Sequence, residues 1–243
     1  MQPWPYPFWL AHRGAGKIAP ENTLAAFRTG ASLGFRGFEC DVKLSADGVL
    51  YLLHDDDLDR TTNAAGPAKG RAWQDLSHLD AGSWLDAEFA GEPPATLEAI
   101  ATFCDKNHCA VNLEIKPCPG MEDPTGQAVA RWVAQHWPHS SPLPLLSSFE
   151  VASLNSAQAQ AAYIPRALLL ERLDQDWLGT ALELGCCAVV LEHTQASQEA
   201  ITQAHAQGLR VLAYTVNELQ QAQRLRAWGI DGLITDNMGL PQR

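Results

Sequence analysis

The sequence predicts a (β/α)8 barrel, and three observations carry that reading. Short apolar runs of strand length alternate with longer segments of helical spacing, the sign of a parallel α/β fold. There are eight such runs and seven helical segments between them, as a closed barrel requires. The chain length, 243 residues, is that of one such barrel, about 250 residues.

Strand one is Phe8–Ala11, followed by a helix over Thr23–Leu33 with Asn22 as a capping residue in front of it. Strand two is Gly37–Val42. A further strand-like run, Val49–Leu53, breaks the alternation and opens an insertion, about residues 55–95, between strand two and helix two. Active sites of such barrels lie at the C-terminal strand ends, so this insertion is expected above the mouth. Its Trp73 and Trp84 could help roof the site, although a small core of the insertion's own suits them better. Helix two, Leu97–Lys106, starts from Thr96, and strand three is Ala110–Ile115. Then come helix Thr125–Trp137, strand Leu143–Leu146, helix Glu150–Ala159, strand Arg166–Leu170 and helix Asp176–Leu184, which Gly185 stops. Strand Ala188–Leu191, helix Gln198–Gln207 with its stop at Gly208, strand Arg210–Tyr214, helix Glu218–Trp228 and strand Gly232–Ile234 complete the series. Asp236–Arg243 is too short for a normal final helix. The whole, residues 1–243, reads as one domain.

Composition narrows the class. With 46% hydrophobic and 19% charged residues, the chain can build a substantial core. A net charge of −11 removes the positive field that a nucleic-acid binder draws on, but leaves room for a small phosphorylated ligand beside a metal ion. The six cysteines show no zinc-binding spacing and read as reduced thiols. The N-terminal segment lacks a basic region and is broken by Pro3, Pro5 and Pro7, unlike a secretory signal. No apolar run reaches the ~18 residues of a membrane span. These features imply a cytoplasmic protein with a small-molecule partner, no membrane insertion, and nothing against a homo-oligomer.

Charged residues cluster at the expected strand ends. Residues two apart on a strand share a face, so Glu39 and Asp41 project together, as do Glu114 and Lys116. Singly, such carboxylates read as exposed edge residues; as two charged pairs inside apolar strands they do not. Three carboxylates at one mouth call for a cation, and an all-oxygen set selects Mg²⁺ or Ca²⁺. The turn Ser45-Ala46-Asp47-Gly48 has hairpin chemistry. A two-residue loop there sets His54 opposite Glu39, whereas a bulge at Gly48 makes the contact diagonal. His12 and His54 suit general acid–base work, Arg13 offers a planar fork for phosphate oxygens, and Lys116 a point charge. The remaining six histidines lack such neighbours.

The runs His12-Arg13-Gly14, Pro20-Glu21-Asn22-Thr23, Glu39-Cys40-Asp41-Val42, Asp47-Gly48, His54-Asp55, Arg60-Thr61-Thr62 and Glu114-Ile115-Lys116, in this order, resemble the signature of glycerophosphodiester phosphodiesterases. Ser147-Ser148-Phe149, Tyr214-Thr215-Val216-Asn217 and Thr235-Asp236 extend the resemblance over nearly the whole chain, towards the bacterial cytosolic branch. It implies hydrolysis of glycerophosphodiesters to glycerol 3-phosphate and an alcohol, and a divalent cation on Glu39, Asp41 and Glu114. It also implies catalysis by His12 and His54 and substrate contacts from Arg13 and Lys116, with water or the glycerol 2-hydroxyl as nucleophile. Tyr214 stands where the family often has Trp, which bears on how the glycerol or alcohol moiety packs; Pro94-Ala95-Thr96-Leu97 carries one extra residue. A phospholipase D-like or phosphoinositide-type lyase is the rival reading, disfavoured by the lack of a membrane-docking element. A non-catalytic phosphometabolite-binding barrel would not need two proton carriers.

Overall fold

The computed structural model describes residues 4–240, and they form a closed parallel barrel. Its strands are β1 (Trp9–Ala11), β2 (Gly37–Leu44), β3 (Leu50–Leu52), β4 (Ala110–Ile115), β5 (Leu145–Ser148), β6 (Arg166–Leu170), β7 (Ala188–Glu192), β8 (Arg210–Tyr214) and β9 (Gly232–Thr235). All except β3 run parallel, and β1 pairs with both β2 and β9, which closes the ring. The helices are α1 (Leu24–Ser32), α2 (Trp73–Leu76), α3 (Leu97–Asn107), α4 (Glu122–His136), α5 (Val151–Gln160), α6 (Trp177–Glu183), α7 (Gln198–Ala206) and α8 (Leu219–Ala227).

Alternation along the strands divides the core into two shells. Leu145, Leu169, Val190, Leu212 and Ile234 fill the barrel interior. Their strand neighbours face outward: Leu113 and Leu146 pack among α1, α3 and α4 side chains, Leu168, Val189 and Leu233 under α6, α7 and α8. Strands buried on both faces read as unbroken apolar runs, which is why the sequence displays them plainly.

Several boundaries differ from expectation for local reasons. Strand β5 begins at Leu145 rather than Leu143, because Pro144 has no N–H to give to a ladder, and it runs on through Ser148, whose Oγ donates to the Ile115 carbonyl at 2.7 Å. Helix α4 starts at Glu122, three residues early; Pro124 lies in its first turn, where a missing N–H costs nothing. Asn22 does not cap α1. Thr23 does, its Oγ1 accepting from the Ala26 N–H at 3.2 Å, and Asn22 takes a left-handed conformation (φ 60°) that aims its amide at Asp41. Thr96 caps α3 as expected, and Gly185 and Gly208 follow α6 and α7 with positive φ. After β9 the chain turns at residues 237–240 with Met238 and Leu240 buried; residues 241–243 lie outside the described part.

The extra run Val49–Leu53 contains β3, which pairs antiparallel with the outer half of β2, Val42 opposite Leu52 and Leu44 opposite Leu50. The connection is three residues, with Gly48 at φ +88° and its N–H donating to the Ser45 carbonyl at 3.1 Å. Beyond it the insertion builds a small core around Tyr51, Leu58 and Leu76, on which Trp73 packs; Trp84 is partly exposed. Among the described residues no helix is long and apolar enough to cross a membrane, and the six cysteines are unpaired.

Candidate active site

Two neighbouring strands bring the carboxylates together. Asp41 on β2 lies beside Glu114 on β4, and Glu39 sits one inward position below Asp41. One oxygen from each falls within 4.8 Å of the others, although all three side chains are buried. Burial and the charges of Asp41 and Glu114 push Glu39 well above the usual carboxylate range. Burial and Asp41 raise Glu114 to about 7. Burial would raise Asp41 too, but Arg13, His54, Lys116 and the Asn22 amide outweigh it and hold Asp41 low. Asn22 grips Asp41 twice: Nδ2 donates to Oδ2 at 2.8 Å, and Oδ1 accepts from the Asp41 N–H at 3.1 Å. Hard oxygen donors at this separation fit an ion with metal–oxygen bonds of about 2.0–2.6 Å, the range of Mg²⁺ and Ca²⁺.

His12 follows β1 and opens a single tight turn through Gly14. Its Nδ1 pairs with Asp236 Oδ1 at 2.7 Å, which leaves Nε2 directed to the carboxylate side, 3.8 Å from Glu39 Oε2. Asp236 is itself fixed from two sides by Asn217, whose Nδ2 donates to its Oδ2 at 3.1 Å and whose Oδ1 accepts its backbone N–H at 2.8 Å. Burial raises Asp236, but the bond and charge of His12, the Asn217 amide and Lys17 together outweigh it, so the carboxyl sits below its ordinary value. His54 has the same arrangement with a partner next to it in sequence: Nδ1 pairs with Asp55 Oδ1 at 2.7 Å. A carboxylate on Nδ1 selects the tautomer and frees Nε2 for chemistry. The three-residue hairpin connection sets His54 diagonal to Glu39, the bulged alternative of the two registers. Burial lowers the His54 pKa; Asp41 opposes this, Arg13 and Lys116 reinforce it, and the shift is downward.

Arg13 takes a left-handed conformation (φ 52°) in the His12–Gly14 turn. That bend lets its backbone N–H donate to Glu39 Oε2 at 3.0 Å while its guanidinium reaches Glu21 Oε1 at 2.7 Å and comes within 3.6 Å of Asp41 Oδ2. The Lys116 ammonium donates to Glu114 Oε1 at 2.8 Å and lies 5.3 Å from the centre of the Phe149 ring. The Tyr214 ring meets Phe149 edge to face, 5.8 Å between centres. A cleft of about 480 Å³, bordered by His54, Glu114, Lys116 and Phe149, opens beside this group. All eight residues singled out from sequence therefore lie around one end of the barrel. The residues that sequence reasoning left without a part in the site are the supports: Asp236 and Asn217 for His12, Asp55 for His54, Glu21 for Arg13, and Asn22, read there as a helix cap, for Asp41. Each stands in or beside one of the motif runs, which is the signal that could have marked it.

Known proteins share this chain's sequence and fold over nearly its whole length. The model of the glycerophosphoryl diester phosphodiesterase family matches residues 12–240. A glycerophosphodiester phosphodiesterase of Caldanaerobacter subterraneus is 31% identical over 233 residues, spanning 94% of this chain and 93% of that one. One of Bacillus subtilis is 30% identical over 243 residues, spanning 93% and 82%. Among solved structures, a phosphodiesterase of Oleispira antarctica in complex with the product sn-glycerol 3-phosphate superposes with a TM-score of 0.93 at 33% identity, covering 98% of this chain and 96% of that one. Barrel, charged strand ends and matched length agree: the chain is an enzyme that belongs to the glycerophosphoryl diester phosphodiesterase family.

Proposed function

We propose that the protein hydrolyses glycerophosphodiesters to sn-glycerol 3-phosphate and an alcohol, using one divalent cation, Mg²⁺ or Ca²⁺, and two histidines. The observation that carries this reading is the pair of histidines, each with Nδ1 engaged by a carboxylate at 2.7 Å, beside three converging buried carboxylates. The product held by the Oleispira relative supports the substrate class. Glu39, Asp41 and Glu114 are the residues that would hold the cation, which supplies Lewis acidity at the phosphate when bound.

The chain's own groups do the rest. Arg13 and Lys116, which pair with Glu21 and Glu114, offer charge-assisted hydrogen bonds to the phosphate oxygens. The Nε2 atoms of His12 and His54 take and give the two protons that diester cleavage moves, one from the attacking oxygen and one to the leaving alkoxide. Tyr214 and Phe149 form the apolar wall against which the glycerol or alcohol moiety packs. The same reading treats residues 1–243 as one catalytic domain working in the cytoplasm, to which the unpaired cysteines are suited. The test is release of sn-glycerol 3-phosphate from glycerophosphoethanolamine with and without chelator. Release that chelator abolishes and added Mg²⁺ or Ca²⁺ restores is the expected result; full release from metal-free protein would remove the cation from the mechanism.

A further inference from the structure

Arg60 lies outside the groups that would meet substrate, yet it joins both halves of the site. Its Nε and Nη2 donate to the two oxygens of Asp55 at 2.6 and 2.9 Å, and its Nη1 and Nη2 donate to the two oxygens of Glu21 at 2.7 and 2.8 Å. Asp55 holds His54, and Glu21 holds Arg13, so one guanidinium closes a chain running Arg13, Glu21, Arg60, Asp55, His54. The two ends come from separate parts of the fold. Glu21 belongs to the segment after β1, locked by Asn22, whose N–H donates to the Arg13 carbonyl at 2.9 Å. Arg60 belongs to the insertion, where Thr62 anchors the turn through N–H and hydroxyl bonds to the Leu58 carbonyl at 3.1 and 2.7 Å.

We propose that Arg60 is a positioning residue: through paired bonds to Asp55 and Glu21 it fixes the His54 imidazole in its Nδ1–H tautomer and ties it to the phosphate-side Arg13. Only a planar fork can hold two carboxylates by both oxygens at once, so lysine cannot replace it. Isolated exposed ion pairs contribute little to stability, and Arg60 is partly exposed, so the consequence falls on geometry more than on folding.

The proposal rests on the diester hydrolysis argued above, and one readout is chosen to be independent of it. In Arg60→Ala and Arg60→Lys, kcat on glycerophosphoethanolamine should fall at least roughly tenfold while KM moves little, the signature of misplaced groups rather than lost substrate binding. Nitrogen NMR of the His54 ring, which needs no substrate, should show the Nδ1–H tautomer in the native protein and a mixture in both variants. The reverse split, KM raised with kcat retained, would make Arg60 a substrate contact and overturn the proposal. An unchanged tautomer, or a Tm loss with kcat intact below it, would overturn it too. A native protein without diester activity would fail the proposed function alone, since the tautomer still tests Arg60.

Discussion

Removing the cation should leave the protein with a pH-dependent weakness that the buried carboxylates dictate. Glu114 is held at about 7 against an ordinary 4.5, chiefly by burial and by Asp41, and Glu39 is raised as well. A carboxyl whose folded pKa exceeds its unfolded pKa favours the fold only while protonated. The stability it contributes is complete below the unfolded value and is lost as pH rises through the folded one. For Glu114 the loss is on the order of 3 kcal/mol, at 1.36 kcal/mol per pH unit. For a chain of this size that is roughly 6–12 °C in Tm. A bound cation displaces the proton and removes the penalty, so the Tm difference between cation-loaded and chelated protein should widen by about that amount from about pH 5 to about pH 8. His54, whose pKa is depressed, works the other way, since its stability is lost as pH falls through the histidine range. It acts in both samples and largely cancels in their difference. Asp55 and Asp236 are depressed too and matter only in acid, below this window. Thermal unfolding followed by circular dichroism, with excess Mg²⁺ or Ca²⁺ and with chelator, measures the difference directly, and Glu114→Gln should flatten it. An equal cation effect at both pH values would refute the reasoning.

His12→Ala and His54→Ala should each cost about 10²–10⁴-fold on a natural diester. A nitrophenolate leaves without a proton, so the variant lacking the acid should regain most of its rate on a nitrophenyl diester and the other should not; near-native rates in both would end the two-histidine mechanism. Arg13→Ala and Lys116→Ala should each lower kcat/KM by about 1.5–3 kcal/mol, the value of a charged hydrogen bond, and an unchanged kcat/KM would count against that residue. Gly16→Ala should disturb His12 from behind: Gly16 has φ +60°, and a Cβ there would stand 2.3 Å from the Asp236 carbonyl oxygen. Stability should drop by on the order of 2 kcal/mol and kcat by roughly tenfold or more; a variant with native kcat would show that Asp236 does not orient His12.

The barrel was legible because each strand is buried on both sides and each helix on one, so short unbroken apolar runs stand apart from longer segments of helical period. Ends were less so: Pro144 trims β5 while Pro124 does not trim α4, since a proline's cost depends on whether its N–H would have had a partner. Alternation was enough to put Glu39 beside Asp41 and Glu114 beside Lys116. What it could not supply was contact across the closed ring. Asp236 meets His12 from 224 positions away, and Arg60 meets Glu21 from 39, pairings that exist only once β1 lies between β2 and β9. Asn22 shows the converse, where local chemistry suggested a helix cap and a buried carboxylate claimed the amide instead.

The hairpin that carries His54 acts as a ruler. Most groups at this mouth stand on or directly after barrel strands, whose heights are fixed by closure of the ring, but His54 is measured out by the count of residues through Ala46–Gly48. Deleting one residue there would slide the imidazole by about 3.4 Å and turn it to the opposite face. Beyond the Arg60 clamp no such count applies, and the loops of the insertion can lengthen or shorten over the mouth without altering the distance between histidine and carboxylates. Substrate scope can therefore drift in one segment while the reaction stays calibrated in another.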